Sequence, residues 1–183
     1  MKGMRMITLI VGEPDSGKSE LAEKIALETG DSYRYYLATM EPVDEPARER
    51  IKKHREQRAG KGFITLEIPD KVCTALSSIR DPEHSTVLLE CISNLVGNHM
   101  HVPDGEKLYQ TDFKRFVQEI LADILALSRV RNLILVTNEF ASDSTFDTET
   151  KDYIRLTAAV NNELLHCSDR VYDVRRQMEG GHV

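Results

Sequence analysis

The residue types best suited to chemistry lie near the amino end, in ITLIVGEPDSGKS, Ile7 to Ser19. Gly12 is followed by Glu13, Pro14, Asp15 and Ser16, and then by Gly17, Lys18 and Ser19, which makes the pattern G-x-x-x-x-G-K-S. An apolar run from Met6 to Val11 precedes it and helix formers follow, the strand-loop-helix setting in which this pattern is a phosphate-binding P-loop. Glycines at both ends let consecutive backbone N–H groups turn inward on a polyphosphate, and the helix beyond adds unpaired donors and partial positive charge. Lys18 is expected to reach the β- and γ-phosphates, and Ser19 to offer a hydroxyl to Mg²⁺. Residues 12–19 are therefore the first nucleotide-binding candidates. Glu13 and Asp15 are unusual among them, being acids in a loop meant for anions.

A second cluster lies in ARERIKKHREQR, Ala47 to Arg58. Arg50, His54 and Arg58 recur every four residues and so share a helical face. Seven positive charges, Arg48, Arg50, Lys52, Lys53, Arg55, Arg58 and Lys61, fall within fourteen residues of an otherwise acidic chain. Ile51 is the main apolar residue, so the helix buries little by itself. Two readings stand side by side: a solvated charged helix, and a phosphate-facing surface with a histidine among arginines. A third candidate is Glu90, which closes the apolar run STVLL, residues 85–89. A strand that delivers a carboxylate at its carboxyl end is the Walker B arrangement, opposite the P-loop serine.

The elements that must position these residues follow from periodicity. Helices are expected over residues 20–29, 47–58, 71–80, 92–100, 111–128 and 150–167, and strands over 6–11, 33–38, 63–68, 85–89, 132–137 and 170–174. The 111–128 helix carries an apolar stripe of Phe113, Phe116, Val117, Ile120, Leu121, Ile124 and Leu127, which reads as core. Asp44-Glu45-Pro46 is a helix start. Alternating strands and helices give an α/β fold with a largely parallel sheet, whose carboxyl edge collects Thr39, Met40, Asn138 and Glu139 beside the P-loop. Residues 101–105 read as loop, 140–148 as a polar mobile segment, and 175–183 as a frayed tail on a single domain spanning 1–183.

Composition narrows the class. Across 183 residues, 40% are hydrophobic and 30% charged, and the net charge is −6, which suits a soluble globular protein and disfavours a general nucleic-acid or acidic-membrane binder. The three cysteines, Cys73, Cys91 and Cys167, form no C-x-x-C and read as reduced, buried thiols with no zinc site. His99 and His101, two apart, point to different sides of a helix and do not suggest a metal pair. No apolar run reaches membrane-span length and the start does not read as a signal peptide, so the expectation is a cytoplasmic protein.

Taken in order, GEPDSGKS, YYLATM, RIKKHREQR, ITLEIP, VLLECISNLVGN and LILVTNE resemble the bifunctional adenosylcobinamide kinase / adenosylcobinamide-phosphate guanylyltransferase family of cobalamin assembly, over about Met6 to Val174. The resemblance implies a RecA-like P-loop NTPase fold and a homo-oligomer, a trimer in which one subunit completes its neighbour's site. It implies catalytic roles for His54 and Lys18, with His54 attacking the α-phosphate of GTP to give a guanylylated histidine. It also implies GTP or ATP as substrate, Mg²⁺ at Ser19 and Glu90, and adenosylcobinamide as corrinoid acceptor. Ala38, Thr39, Met40, Arg55, Glu56, Gln57, Arg58, Glu67 and Glu90 would line the nucleotide site. The chain departs from the family pattern after VTNE, where FASDSTFD replaces a glycine-rich loop. It departs also at its charged carboxyl end, and at Pro14-Asp15, where the family has an Ala-Arg pair. On the residues alone, two alternatives remain: a P-loop kinase for another small molecule, and a nucleotide-binding homologue that has lost catalysis.

Overall fold

A computed structural model describes residues 4–101 and 107–174. Six strands form one sheet: β1 (Met6–Gly12), β2 (Tyr33–Ala38), β3 (Phe63–Glu67), β4 (Ser85–Glu90), β5 (Asn132–Asn138) and β6 (Arg170–Asp173). Their order across the sheet is β3-β2-β4-β5-β1-β6, and every pairing is parallel. The α-helices are α1 (Lys18–Glu28), α2 (Glu45–Arg58), α3 (Ile92–Met100), α4 (Leu108–Thr111), α5 (Phe113–Ala126) and α6 (Thr148–Cys167). Parallel strands all end on one edge, so the loops after β1, β2, β4 and β5 meet there.

Period-2 alternation along the strands divides the core into two layers. Leu9, Tyr35, Leu37, Val87, Leu89, Leu133 and Leu135 face the larger one, with α3, α5 and α6. Ile10, Tyr36, Leu88, Ile134 and Val136 face the smaller one, closed by Ala22 and Ala26 of α1. The expected α5 stripe is confirmed: Phe116, Val117, Ile120, Ile124 and Leu127 are buried, and Phe113 and Leu121 pack against them.

Two helices differ from the sequence expectation. Residues 71–80 hold a 3₁₀ helix, Val72–Ser78, whose first two donors, the N–H groups of Val72 and Cys73, are accepted by the Asp123 carboxylate of α5, both at 2.9 Å. The expected 111–128 helix is broken at Asp112, whose side chain caps α5 by accepting from Arg115 N at 3.0 Å. The thiols are also not uniformly buried: Cys91 is, Cys73 is intermediate and Cys167 is exposed. Segment 140–147 is irregular, with the Phe140 ring 5.4 Å from that of Tyr153. The expected loop beyond His101 and the tail at 175–183 lie outside the described residues. No described helix is long and apolar enough to cross a membrane.

At the amino edge, away from the P-loop, a buried acid ties three elements together. The Asp31 side chain is fully covered, and its Oδ2 accepts from Thr86 Oγ1 at 2.7 Å and Asn132 Nδ2 at 2.8 Å. The Arg131 guanidinium lies 3.6 Å from Oδ1. Removing this acid would leave Asn132 Nδ2 without its acceptor and Thr86 with Thr29 Oγ1 alone, at 2.8 Å, in place of the carboxylate. Asp31→Ala should therefore cost about 2–3 kcal/mol, read as a lower urea midpoint, while nucleotide affinity below the transition stays unchanged. Equal midpoints for variant and wild type would reject the structural role.

Candidate active site

The P-loop adopts its shape for local steric reasons. A Cβ at Gly12 would lie 3.0 Å from Ser16 Oγ and 3.3 Å from Val174 Cβ, so any side chain there would have to push these neighbours aside. Gly17 caps α1 at φ +86, a conformation glycine adopts without penalty. Asp15 also has positive φ, at 58, which Asp tolerates better than most side chains. Lys18 is buried at 6% exposure and forms no ion pair among the described residues. Its ammonium donates to the Glu13 carbonyl oxygen, with Ser16 Oγ at 3.4 Å. Desolvation holds this ammonium below its ordinary value near 10.5, against the upward pull of Cys91, Glu90, Asp15 and Glu13.

Opposite the loop, Glu90 ends β4 with both carboxylate oxygens engaged. Ser19 Oγ donates to Oε1, and the Tyr36 hydroxyl donates to Oε2 at 2.7 Å. Tyr36 is 3% exposed, and burial followed by the charge of Glu90 pushes its phenol far above the usual range. The guanidinium of Arg58 stacks over its ring, 3.5 Å from the centroid. Arg58 is itself 6% exposed, and its Nε and Nη1 are buried with no hydrogen-bond partner.

Helix α2 forms despite its charge because its ends are secured. Asp44 caps it, accepting from Ala47 N at 2.7 Å, and Pro46 sits in the first turn, where its missing N–H costs nothing. At the far end Arg58 is buried, and Lys61 in the following turn pairs with the buried Glu23 of α1. Arg50, Ile51, His54 and Arg58 thus line a cavity of ≈ 240 Å³ together with Pro14, Asp15, Ser16, Gly17, Lys18 and Ser19. His54 Nδ1 is buried and unpartnered.

The same cavity takes Ala38, Met40, Glu67 and Glu90. Other expected site residues fall elsewhere. Gly12 and Glu13 shape the loop without lining the cavity, and Glu13 contributes its backbone carbonyl. Thr39 is buried beneath it, donating to the Cys91 carbonyl at 2.8 Å and accepting from Cys91 N at 2.9 Å. Arg55 turns outward to pair with Glu67, and Glu56 and Gln57 are exposed on the outer face of α2. A contiguous lining stretch cannot arise on a helix, where only residues three or four apart share a face.

Tyr36, Cys91 and Asn94 also line the cavity and were not among the expected site residues, whereas Asn138, expected at the carboxyl edge beside the P-loop, lines it as well. Tyr36 stands two residues before Ala38 on one strand, hence on the same face, a relation that strand alternation could have supplied. Asn138 sits at the centre because β5 lies between β1 and β4, a placement no local signal carries. Its side-chain amide donates to Ser93 Oγ at 2.7 Å, and its backbone carbonyl accepts from Asn161 Nδ2 at 3.0 Å.

Residues 8–178 match the family model described as cobinamide kinase / cobinamide phosphate guanyltransferase. The chain belongs to this family. It is 34% identical over 134 residues to the bifunctional adenosylcobalamin biosynthesis protein CobP of Pseudomonas aeruginosa, covering 73% of this chain and 72% of that one. Among solved structures, an isolated ATPase domain aligns at TM-score 0.52 and 12% identity over 93% of this chain and 69% of that one. That likeness is one of fold, a P-loop ATPase core. The RadB recombinase aligns at TM-score 0.44 and 19% identity, over 84% of this chain and 72% of that one. Membership makes the protein a kinase and guanylyltransferase of cobalamin biosynthesis, a transferase that uses nucleotides.

Lys18 gives a direct check on the cavity. A bound polyphosphate favours its charged form, whereas burial in the free protein disfavours it. Affinity for a nucleoside triphosphate should therefore be flat at neutral pH and fall as pH rises through the depressed Lys18 value, starting below 10.5. Lys18→Met should bind at least ~100-fold more weakly and show no such decline. Because it removes a desolvated charge, the same variant should melt no lower than wild type. A lower melting temperature with unchanged affinity would contradict this account.

Proposed function

We propose that His54 is the covalent nucleophile of the guanylyl transfer and that both phosphoryl chemistries run in one cavity. The observation that carries this reading is the meeting of His54 with the P-loop on one cavity wall. With Nδ1 buried, Nε2 is the ring nitrogen open to attack. In the first step its lone pair forms a bond to the α-phosphorus of GTP. The bond from that phosphorus to the β-bridging oxygen breaks, and pyrophosphate leaves. In the second, a phosphate oxygen of adenosylcobinamide phosphate attacks the same phosphorus and the P–N bond breaks. Arg50 and Arg58 stand where they can neutralise charge on the equatorial oxygens, and Lys18 is placed to hold the β- and γ-phosphates. In the kinase reaction the γ-phosphoryl passes to a hydroxyl of the corrinoid, with GTP or ATP as donor.

The oxygen donors Ser19 Oγ and Glu90 suit a hard divalent cation that keeps much of its water, and they face one another here. Mg²⁺ held by these two residues would neutralise phosphate charge as it develops. The cavity is smaller than the roughly 300–1,000 Å³ typical of small-molecule pockets. It therefore suits the nucleotide phosphates, and the corrinoid is assigned to its mouth. We also propose a cytoplasmic homo-oligomer, a trimer, for which the partly exposed apolar residues Ile64 and Val171 on edge strands β3 and β6 offer contact area.

Incubation with GTP labelled at the α-phosphate should leave acid-labile label on wild type. His54→Ala should lose this label by more than ~100-fold while binding GTP with unchanged affinity. Equal labelling of the two proteins would reject His54 as the nucleophile. Label arising only from the γ-position, on a non-corrinoid acceptor, would favour a kinase for another small molecule.

A further inference from the structure

Tyr36 touches both halves of the site, Glu90 opposite the P-loop and Arg58 of α2. Its hydroxyl donates to Glu90 Oε2 at 2.7 Å, and the other oxygen of that carboxylate takes the P-loop Ser19 hydroxyl. The face of its ring carries Arg58, at 3.5 Å, the last residue of the helix that bears His54. Phe63 braces the ring edge-on, with centroids 6.4 Å apart and planes at 82°, so the phenol has little freedom to turn.

The chemistry of the three groups is cooperative. A phenol that donates to a carboxylate gains electron density in its ring, and an electron-rich ring attracts a guanidinium more strongly. Glu90 thus acts on Arg58 through Tyr36, although the two charges form no direct ion pair. The ring also limits what Arg58 can do. Stacking holds the guanidinium plane, and the Nε and Nη1 donors remain buried without a partner. Such donors are costly to bury alone and well prepared for anionic oxygens that arrive with a substrate.

We infer that Tyr36 is a positioning residue that couples the acid opposite the P-loop to the arginine and histidine of α2, its hydroxyl fixing Glu90 and its ring fixing Arg58. The inference rests on the reading of His54 as nucleophile only for the labelling arm of its test. The two functions of the side chain are separable by substitution. Tyr36→Phe keeps the ring and removes the hydroxyl, whereas Tyr36→Leu removes both. Arg58→Lys keeps the charge and loses the planar stack.

The test uses the full chain and two readouts: the Mg²⁺ concentration that gives half-maximal tightening of a fluorescent GTP analogue, and the rate of acid-labile labelling from α-labelled GTP. Tyr36→Phe should raise the Mg²⁺ requirement about tenfold and, because the ring loses the electron density that Glu90 lends it, slow labelling at saturating Mg²⁺ by about threefold. Tyr36→Leu should show the same Mg²⁺ shift and label at least ~10-fold more slowly. Arg58→Lys should share the slow labelling without the Mg²⁺ shift, so the separation can be read even if Tyr36→Leu fails to fold. A Tyr36→Phe protein with the wild-type Mg²⁺ requirement would overturn the proposal, as would Arg58→Lys moving that requirement with Tyr36→Phe. If wild type takes no label, the His54 reading fails, and the Mg²⁺ arm still decides the link between Tyr36 and Glu90.

Discussion

Two buried cations, Lys18 and Arg58, set the terms for the rest of the molecule. Neither forms an ion pair among the described residues, and charge removed from water without a counterion is costly. The fold offsets that cost by different means. Lys18 donates to the Glu13 carbonyl and lies within reach of the field of Glu90. Arg58 lies on the π-face of Tyr36. Both solutions leave positive charge concentrated and underused, which is what a polyphosphate site needs before its substrate arrives.

The sheet makes this concentration possible. With all strands parallel, backbone ends and helix N-termini gather at the carboxyl edge. Because β5 lies between the P-loop strand and the acid strand, Ser19 and Glu90 meet across a width of two strand spacings, about 10 Å of backbone. The Glu90 side chain and the first turn of α1 close that gap, and Asn138 fills the floor between them. Beneath it, Asn98 Nδ2 donates to the carbonyls of Thr39 and Pro69 at 2.8 and 2.7 Å. The ends of β2 and β3 are thereby tied to α3 and cannot drift from the cavity rim.

Much of this was legible in the sequence, and the unread part has physical causes. The P-loop, Glu90 and the His54 face of α2 are local patterns: a fixed spacing, a strand end, a four-residue repeat. Strand order is a long-range property, so the central place of Asn138 could not be read from its neighbours. The outward turn of Arg55 toward Glu67 likewise depends on where β3 is laid beside β2 after the chain leaves α2, a tertiary placement that the periodicity of α2 does not record. Asp112 broke an expected helix because its carboxylate caps a new start, and the 72–78 segment is fixed at its first turn by Asp123 of α5, about fifty residues away. Periodicity does not record such contacts. The acids that looked out of place in the P-loop resolve unequally: Glu13 serves through its carbonyl, while Asp15 keeps an exposed carboxylate at the cavity lip.

On the proposed chemistry, one cavity serves two phosphorus atoms, which demands a part that stays and a part that adapts. The P-loop is the former, locked by the tight fit at Gly12 and by the sheet behind it. Helix α2 has the character of the latter. It is anchored at one end by the Asp44 cap and at the other by Arg58 and Lys61, whereas most of its intervening side chains face solvent. Small displacements of its middle turn, where His54 sits, therefore disturb few buried contacts, and local motions draw on such sparsely packed elements. Its carboxyl end is different, because Arg58 is stacked on the same tyrosine that holds Glu90. Under the proposed mechanism, the histidine would approach or leave the α-phosphate about a pivot tied to the carboxylate opposite the P-loop, so that covalent and phosphoryl-transfer geometries would share one fixed charge frame.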